Sequence, residues 1–408
     1  MAGDARLTLA AEAAETLGVL LHACHQQRIV DEERRVGGEE EPEKDASAEK
    51  EAADGTEKDA AARPASPSLA ALDALASPEA LDAMLLTLAS FRNASELAEE
   101  EAELALSLCD ALCTLLLRPR AQAAFLAAEG VELLLLLLQG PKKLRPSALR
   151  ALEFAVADSP GAGARVVERG GLGVLGGALL GRLRVGSRNE RSADWGPGRA
   201  VAVLAAVCED LMEEDEGDGP DQLLAKQSET NPAPSQTPPS SSAPDKAALR
   251  MRVAAKFEET QHEKADALME LFHSHLERVG ALEEACRKRL EEARGRGLLT
   301  PELRVALLEE LEEDKADKGG LFTLQRLAIA CAFLWREGSD GLRRRLLELL
   351  HVRGVGLAAL RGVLQSLLRD LGDAAHSPET RRRRERRLGR LLATVGGTGH
   401  DRGVDLAR

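Results

Sequence analysis

Tyrosine is absent from the 408 residues, tryptophan occurs twice and phenylalanine seven times, so aromatic side chains make up only 2% of the chain. Sheet-rich folds lean on aromatic and β-branched residues, and their scarcity argues against such folds. Leu and Ala dominate instead, and both favour helix. The six cysteines (Cys24, Cys109, Cys113, Cys208, Cys286 and Cys331) do not form a disulfide framework in a chain this long. Most sit in apolar, helix-like contexts, where a thiol behaves as a small hydrophobe in a reducing interior. The opening MAGDARLTLA places Asp4 where a signal peptide needs a basic stretch and then an apolar core, so no signal peptide is read. The longest pure leucine run, Leu133 to Leu138, falls far short of the ~20 apolar residues that span a bilayer. A soluble intracellular protein is expected, with no membrane partner.

What the chain does have is charge, unevenly placed. The formal net charge is -14, yet residues 31–59 hold 13 Asp/Glu against 5 Lys/Arg, and residues 209–221 hold 8 Asp/Glu and no Lys/Arg. Those two stretches account for -16, leaving +2 for everything else. The expected folded part is therefore close to neutral, and the acidic stretches repel a phosphate backbone, so no direct nucleic-acid partner is expected.

Composition also divides the chain. A partial helical unit over residues 5–30 precedes a Glu/Lys/Ala/Gly insertion over 31–68, too polar to offset chain entropy and read as disordered. A repeat region over 69–210 is followed by an acidic Ser/Pro-rich linker over 211–245, a helical region over 246–395 and a disordered tail over 396–408. Within the repeat region, LCDALCTLLLRPRAQAAFLAAEGVELLLLL from Leu108 aligns with LRALEFAVADSPGAGARVVERGGLGVLGGALL from Leu149 at an offset of 40 to 41 residues. Each copy reads as an apolar helix, a short turn, a second helix ending in Glu-Gly or Arg-Gly-Gly, and a third Leu-rich helix. Glycine between the second and third helices suits a sharp bend, because it adopts positive φ without strain. The period lies within the roughly 40 to 47 residues of armadillo and HEAT repeats.

Helix starts are well marked along the chain. Ser77-Pro78-Glu79, Thr300-Pro301-Glu302 and Ser377-Pro378-Glu379 each place a capping hydroxyl, a proline at the first helical position and an acid near the positive end. Helices are predicted near 246–260, 262–293, 301–313, 319–336, 340–351, 357–371 and 378–394. The fold class expected is all-α: an armadillo/HEAT-like α-solenoid superhelix with a C-terminal helical region and two disordered insertions.

No constellation of catalytic residues stands out. His22, Cys24 and His25 lie close together, but no second ligand pair follows at zinc-finger spacing. Cys109 and Cys113, four residues apart on a helix with Leu104, Leu108, Leu112 and Leu115, read as core. His273 and His275 cannot face one way on a helix. No phosphate-binding Gly-rich motif occurs, so neither cofactor nor metal is expected and the chain is read as a non-enzyme. A stack of three-helix units leaves a groove suited to extended peptides. Asp82, Glu129, Glu132 and Glu168, near the third helices, are candidates for pairing with Lys or Arg of a basic peptide. Arg381, Arg382, Arg383, Arg384, Arg386 and Arg387 form a basic cluster that reads either as a nuclear import signal or as a solvated helix face.

Several ordered segments carry a resemblance: LCDALCTLLLRPRAQAAFLAAEGVELLLLLL, RPSALRALEFAV, KFEETQHEKADALMELFHSHL, DKGGLFTLQRLAIACAFL, RRRLLELLHVRG and SPETRRRRERRLGRLL. In this order they are similar to the beta-catenin-like protein 1 family over most of residues 7 to 394. The resemblance implies a nuclear, non-enzymatic armadillo scaffold of the spliceosome-associated NineTeen complex that binds basic, nuclear-localisation-type segments of splicing factors. It also implies that the family's N-terminal tail and earlier repeats are missing here and that the two insertions are additions. Trp195 and Trp335 are isolated, so no importin-type Trp/Asn ladder is carried over. A general interaction or trafficking adaptor without a splicing role is the alternative, and a homodimer is left open.

Overall fold

The computed structural model describes residues 76–183, 195–212, 245–371 and 378–396, and every regular element in them is helical. The expectations placed on residues 5–30, 31–68, 213–244 and 397–408, including His22, Cys24 and His25, lie outside the described residues. Two compact units divide the chain between Leu133 and Leu134.

In the first unit, α1 spans Pro78–Ser90, α2 Glu99–Leu115 and α3 Pro119–Ala127, and α4, Gly130–Gln139, begins. The Ser77 hydroxyl accepts the Ala80 N–H at 3.2 Å, and Pro78 fills the first helical position. At α2 the Glu101 carboxylate reaches back to accept the Ala98 N–H at 3.1 Å, so an acid in the first turn does the capping that Ala98 cannot. Helix α1 packs on α2 and α3. The core is made of Leu81, Leu85 and Leu88, of Leu108, Cys109, Leu112 and Leu115, and of Phe125, none more than 7% exposed. Cys113 is buried with Cys109, as the helical spacing implied.

The bend between the second and third repeat helices works differently from the sequence expectation. In the first copy the left-handed residue is Glu129, at φ 58°, and not the glycine after it. In the second copy, where α5 is Arg145–Val156, α6 Ala162–Glu168 and α7 Gly171–Leu179, that position is Gly170 at φ 76°. The shared glycine one residue later serves a different purpose, close approach. A Cβ on Gly130 would lie 2.5 Å from the Phe125 ring, and one on Gly171 2.7 Å from Val166 Cγ1.

In the second unit α5, α6 and α7 lean on α8, Trp195–Leu211. There follow α9, Lys246–Glu258; α10, Glu263–Gly295; α11, Pro301–Asp317; α12, Leu321–Glu337; α13, Asp340–Val352; α14, Leu357–Asp370; and α15, Pro378–Gly396. Two helices form the centre, because they are apolar all round. Between Ala200 and Cys208 α8 carries no charge, and Leu327 to Leu334 of α12 form an unbroken buried run. Small residues on α12 (Ala328, Ala330, Cys331, Ala332) let neighbours approach, and α8, α9, α10, α11, α13, α14 and α15 all pack against it. Burial of Leu327, Phe333 and Leu334 contributes about 1.5–3 kcal/mol each.

The predicted break between 260 and 262 is a left-handed turn. Thr260, Gln261 and His262 all have positive φ, at 55°, 56° and 68°. The region costs L-residues about 1–2 kcal/mol each. Flanking contacts hold it: Glu259 pairs with Lys256 and Lys264, and Glu258 accepts the Ser339 N–H at 2.9 Å.

Candidate interaction surfaces

Charge in the folded part is segregated. Among the described residues of the first unit, 10 Asp/Glu stand against 3 Lys/Arg, a net of -7; in the second unit 37 Lys/Arg stand against 29 Asp/Glu, a net of +8, and most of that excess lies on α15, where 7 arginines accompany 2 glutamates. Near-neutrality, as read from the sequence, is thus a cancellation between separate parts of the molecule.

The acidic side chains of the first unit lie outward. Glu79, Asp82, Glu99, Glu100, Glu103 and Asp110 are exposed on α1 and α2, with Arg92, Arg118 and Arg120 as the basic residues among the described ones. Of the four candidate acids, the structure places Asp82, Glu129 and Glu132 in this unit and Glu168 in the other. Asp82 is exposed on α1, whose opposite side carries buried Leu81, Met84, Leu85 and Leu88. Glu129 is exposed at the strained turn, and Glu132 is half-buried in the first turn of α4. Glu168 is exposed at the end of α6. The sequence missed the acidic first turn of α2, although three consecutive glutamates before an apolar helix were visible there.

Arg381 to Arg387 do not form one solvated stripe. Arg384 reaches Glu209 at 3.3 Å near the end of α8, with side-chain exposures of 23% and 9%. The Glu209 carboxylate beside it raises the Arg384 guanidinium above its ordinary range, against the opposing effect of burial. Arg381 pairs with Glu385 and Arg383 with Glu379, each one helical turn away. Arg387 is half-buried, and Arg390 donates to the Met212 carbonyl at 2.9 Å. Arg382 and Arg386 remain exposed. The cluster thus helps to fasten α15 onto α8 through Arg384 while displaying Arg382 and Arg386.

The candidate nucleophiles and ligands sit in structural settings. Cys109, Cys113, Cys208, Cys286 and Cys331 are all buried. Burial pushes the Cys331 thiol up to about 12 and also raises Cys109 and Cys208, which suppresses thiolate at neutral pH. His273 Nε2 lies 3.1 Å from the Leu349 carbonyl, while His275 Nδ1 lies 2.9 Å from that of Leu271, so the two rings serve different partners. Among the described residues no group of three or more His, Cys, Asp or Glu is arranged to hold a metal ion. No single described helix is long and apolar enough to cross a membrane.

The comparisons with known proteins agree with this architecture. A family model described as "Catenin-beta-like, Arm-motif containing nuclear" matches residues 66–231 and 240–365. Beta-catenin-like protein 1 of Rattus norvegicus is 25% identical over 330 residues, covering 77% of this chain and 49% of the relative. The Homo sapiens protein of the same name is 24% identical over 320 residues with the same coverage. The chain therefore spans about half the length of the curated relatives it matches.

Proposed function

The chain belongs to the catenin-beta-like, Arm-motif containing nuclear family, and from that premise we propose that it is a non-enzymatic nuclear scaffold that holds basic segments of partner proteins on its acidic first unit. The observation that carries this reading is the charge of that unit: a net of -7 over residues 76–133, with Asp82, Glu99, Glu100 and Glu103 outward and the leucines of the core turned inward. A basic peptide gains from each exposed carboxylate only a modest, salt-screened attraction, so the affinity depends on several acting together. The family resemblance of the ordered sequence segments implies the partner class we propose: splicing factors of the NineTeen complex bearing nuclear-localisation-type segments.

Fluorescence anisotropy of a labelled Lys/Arg-rich peptide tests the binding. The full chain should bind it, binding should weaken from low to physiological salt, and the triple substitution Asp82→Lys, Glu99→Lys and Glu103→Lys should abolish it with helicity intact. Salt-independent binding, or binding indifferent to the triple substitution, would place the contact on apolar surface instead. For the splicing assignment, affinity purification from nuclear extract should recover NineTeen complex components, and recovery of none, with cytoplasmic residence of the tagged chain, would favour an adaptor without a splicing role.

A further inference from the structure

The second unit contains a polar cleft that the reading above does not use. Glu153 of α5, Gly198 and Arg199 in the first turn of α8, His275 and Arg278 of α10, Asp317 and Lys318 at the end of α11, and Gly320, Thr323 and Arg326 at the start of α12 line an open cleft of about 340 Å³. Four cationic side chains line it against two carboxylates.

The cations are organised by their surroundings. Glu153 engages two of them at once, Arg199 through Oε2 and Arg326 through Oε1 at 3.2 Å, so one buried-edge carboxylate fixes two guanidinium groups. Arg278 Nη2 lies 3.1 Å from His275 Nε2 and 3.2 Å from Nδ1, and His275 Nδ1 lies 2.9 Å from the Leu271 carbonyl. A carbonyl only accepts, so Nδ1 donates to it, and the Arg278 guanidinium lies against both ring nitrogens. The ring in turn rests on Gly320, at φ 68°, where a Cβ would lie 2.7 Å from His275 Cδ2. Thus a carboxylate, a histidine and a glycine position three arginines, and Lys318, 68% exposed and paired with Asp314 at 2.6 Å one turn back, adds a fourth cation at the rim.

We propose that this cleft binds the phosphorylated side chain of a serine or threonine in a partner protein. A phosphate carries about -1.5 to -2 charge and three acceptor oxygens, which suit the excess of cations and the forked guanidinium geometry better than a singly charged carboxylate does. The N-terminus of α12, which has no side-chain cap, points its partial positive charge the same way. The volume lies at the small end of ligand pockets and suits a phosphorylated side chain. One residue before Thr323, Phe322 is 60% exposed in a chain nearly devoid of aromatics, and it stands one helical turn from Arg326. It offers an apolar platform for a residue beside the phosphate. Single-stranded nucleic acid is held on successive aromatic stacking platforms, and the cleft lining offers only the His275 ring, already engaged by Arg278 and the Leu271 carbonyl.

The test uses the full chain and a degenerate peptide library with one fixed phosphoserine, measured by anisotropy beside the same library carrying serine, the same carrying glutamate, and an oligouridylate. The phosphoserine library should bind at least about tenfold more tightly than the others. Lys318→Gln with Arg326→Gln, on side chains 68% and 42% exposed, should weaken that binding about tenfold or more without changing thermal unfolding or basic-peptide binding. Gly320→Ala, which displaces the His275 ring, should weaken it too. Equal binding of the glutamate library, no loss in the double variant, or tighter oligouridylate binding lost in the same variant would overturn the proposal. Because basic-peptide binding is read in the same variants, failure here and failure of the acidic-unit reading are told apart.

Discussion

Asp210 and Gly163 share one close contact between α8 and α6. The Asp210 carboxylate accepts the N–H of Gly161 at 2.9 Å and of Ala164 at 3.0 Å, while a Cβ on Gly163 would lie 3.0 Å from the same carboxylate and 2.9 Å from Val207 Cα. Asp210, 49 positions from Gly161 and 46 from Ala164, thus supplies the cap that Gly161, lacking a side chain, cannot. The glycine after it permits the approach that makes the cap possible.

Gly163→Ala should therefore destabilise the second unit by about 1–3 kcal/mol through overpacking. Asp210→Ala should cost about 1–3 kcal/mol by leaving two N–H groups without their buried acceptor. The two changes disrupt one contact, so in urea titrations the double variant should lose less than the sum of the singles. Additive losses would show that the cap and the close approach are independent.

The Glu209–Arg384 pair makes a second prediction. Removing either partner, by Glu209→Gln or Arg384→Met, strands the other at the α8–α15 contact and should cost about 2–3 kcal/mol, less than for a fully buried pair because the arginine keeps 23% exposure. Glu209→Leu combined with Arg384→Leu should recover most of that loss. Trypsin cleavage between Arg381 and Arg387 should accelerate in the single variants and return towards the parent rate in the double one.

Local signals were legible in the sequence, and long-range ones were not. Ser77 and Thr300 cap α1 and α11 through their hydroxyls, the latter accepting the Leu303 N–H at 3.2 Å, because a cap needs only a residue and the three that follow it. The helices after Lys246 begin and end within a few residues of their expected positions for the same reason. The Asp210 cap and the Arg384–Glu209 pair join residues 46 and 175 positions apart, which no periodicity reveals. The cleft draws on five helices, and each of its cations alone looks like an ordinary surface charge. The left-handed turn at Thr260, Gln261 and His262 contains no glycine, so its break was visible while its handedness was not.

Glu129 separates turn geometry from charge. At φ 58° it carries a strain that glycine removes, so Glu129→Gly should be neutral or stabilise the first unit by up to about 1 kcal/mol. The same change deletes one exposed carboxylate from the acidic surface, and basic-peptide affinity should fall modestly. Glu129→Gln, which removes the charge and keeps the strain, should lower affinity equally without any gain in melting temperature. Equal stabilisation by glycine and glutamine would mean that charge repulsion, and not backbone strain, is what Glu129 costs.

The absence of tyrosine makes the buried thiols visible in an alkaline titration. Cys109, Cys208 and Cys331 have thiols raised by burial, the last to about 12, whereas an unfolded thiol titrates near ~8.5. The folded state therefore holds protons that the unfolded state releases. By linkage the stabilisation is fully present below ~8.5 and is lost as pH rises towards the folded values. Each such thiol contributes a slope of about 1.4 kcal/mol per pH unit in that window, and three together about 4. In most proteins phenol ionisation near ~10 would overlay this loss, and here there is none. Urea midpoints measured from pH 8 to 10 should fall steeply, and Cys109→Ala, Cys208→Ala and Cys331→Ala should each flatten the fall while lowering stability at pH 7 through the small cavity left behind. With Cys24 replaced by serine, alkylation of the native chain should proceed only as fast as these helices open. Rapid native alkylation, or an alkaline slope unchanged in the alanine variants, would mean that the three thiols are not held protonated by the packing around α2, α8 and α12.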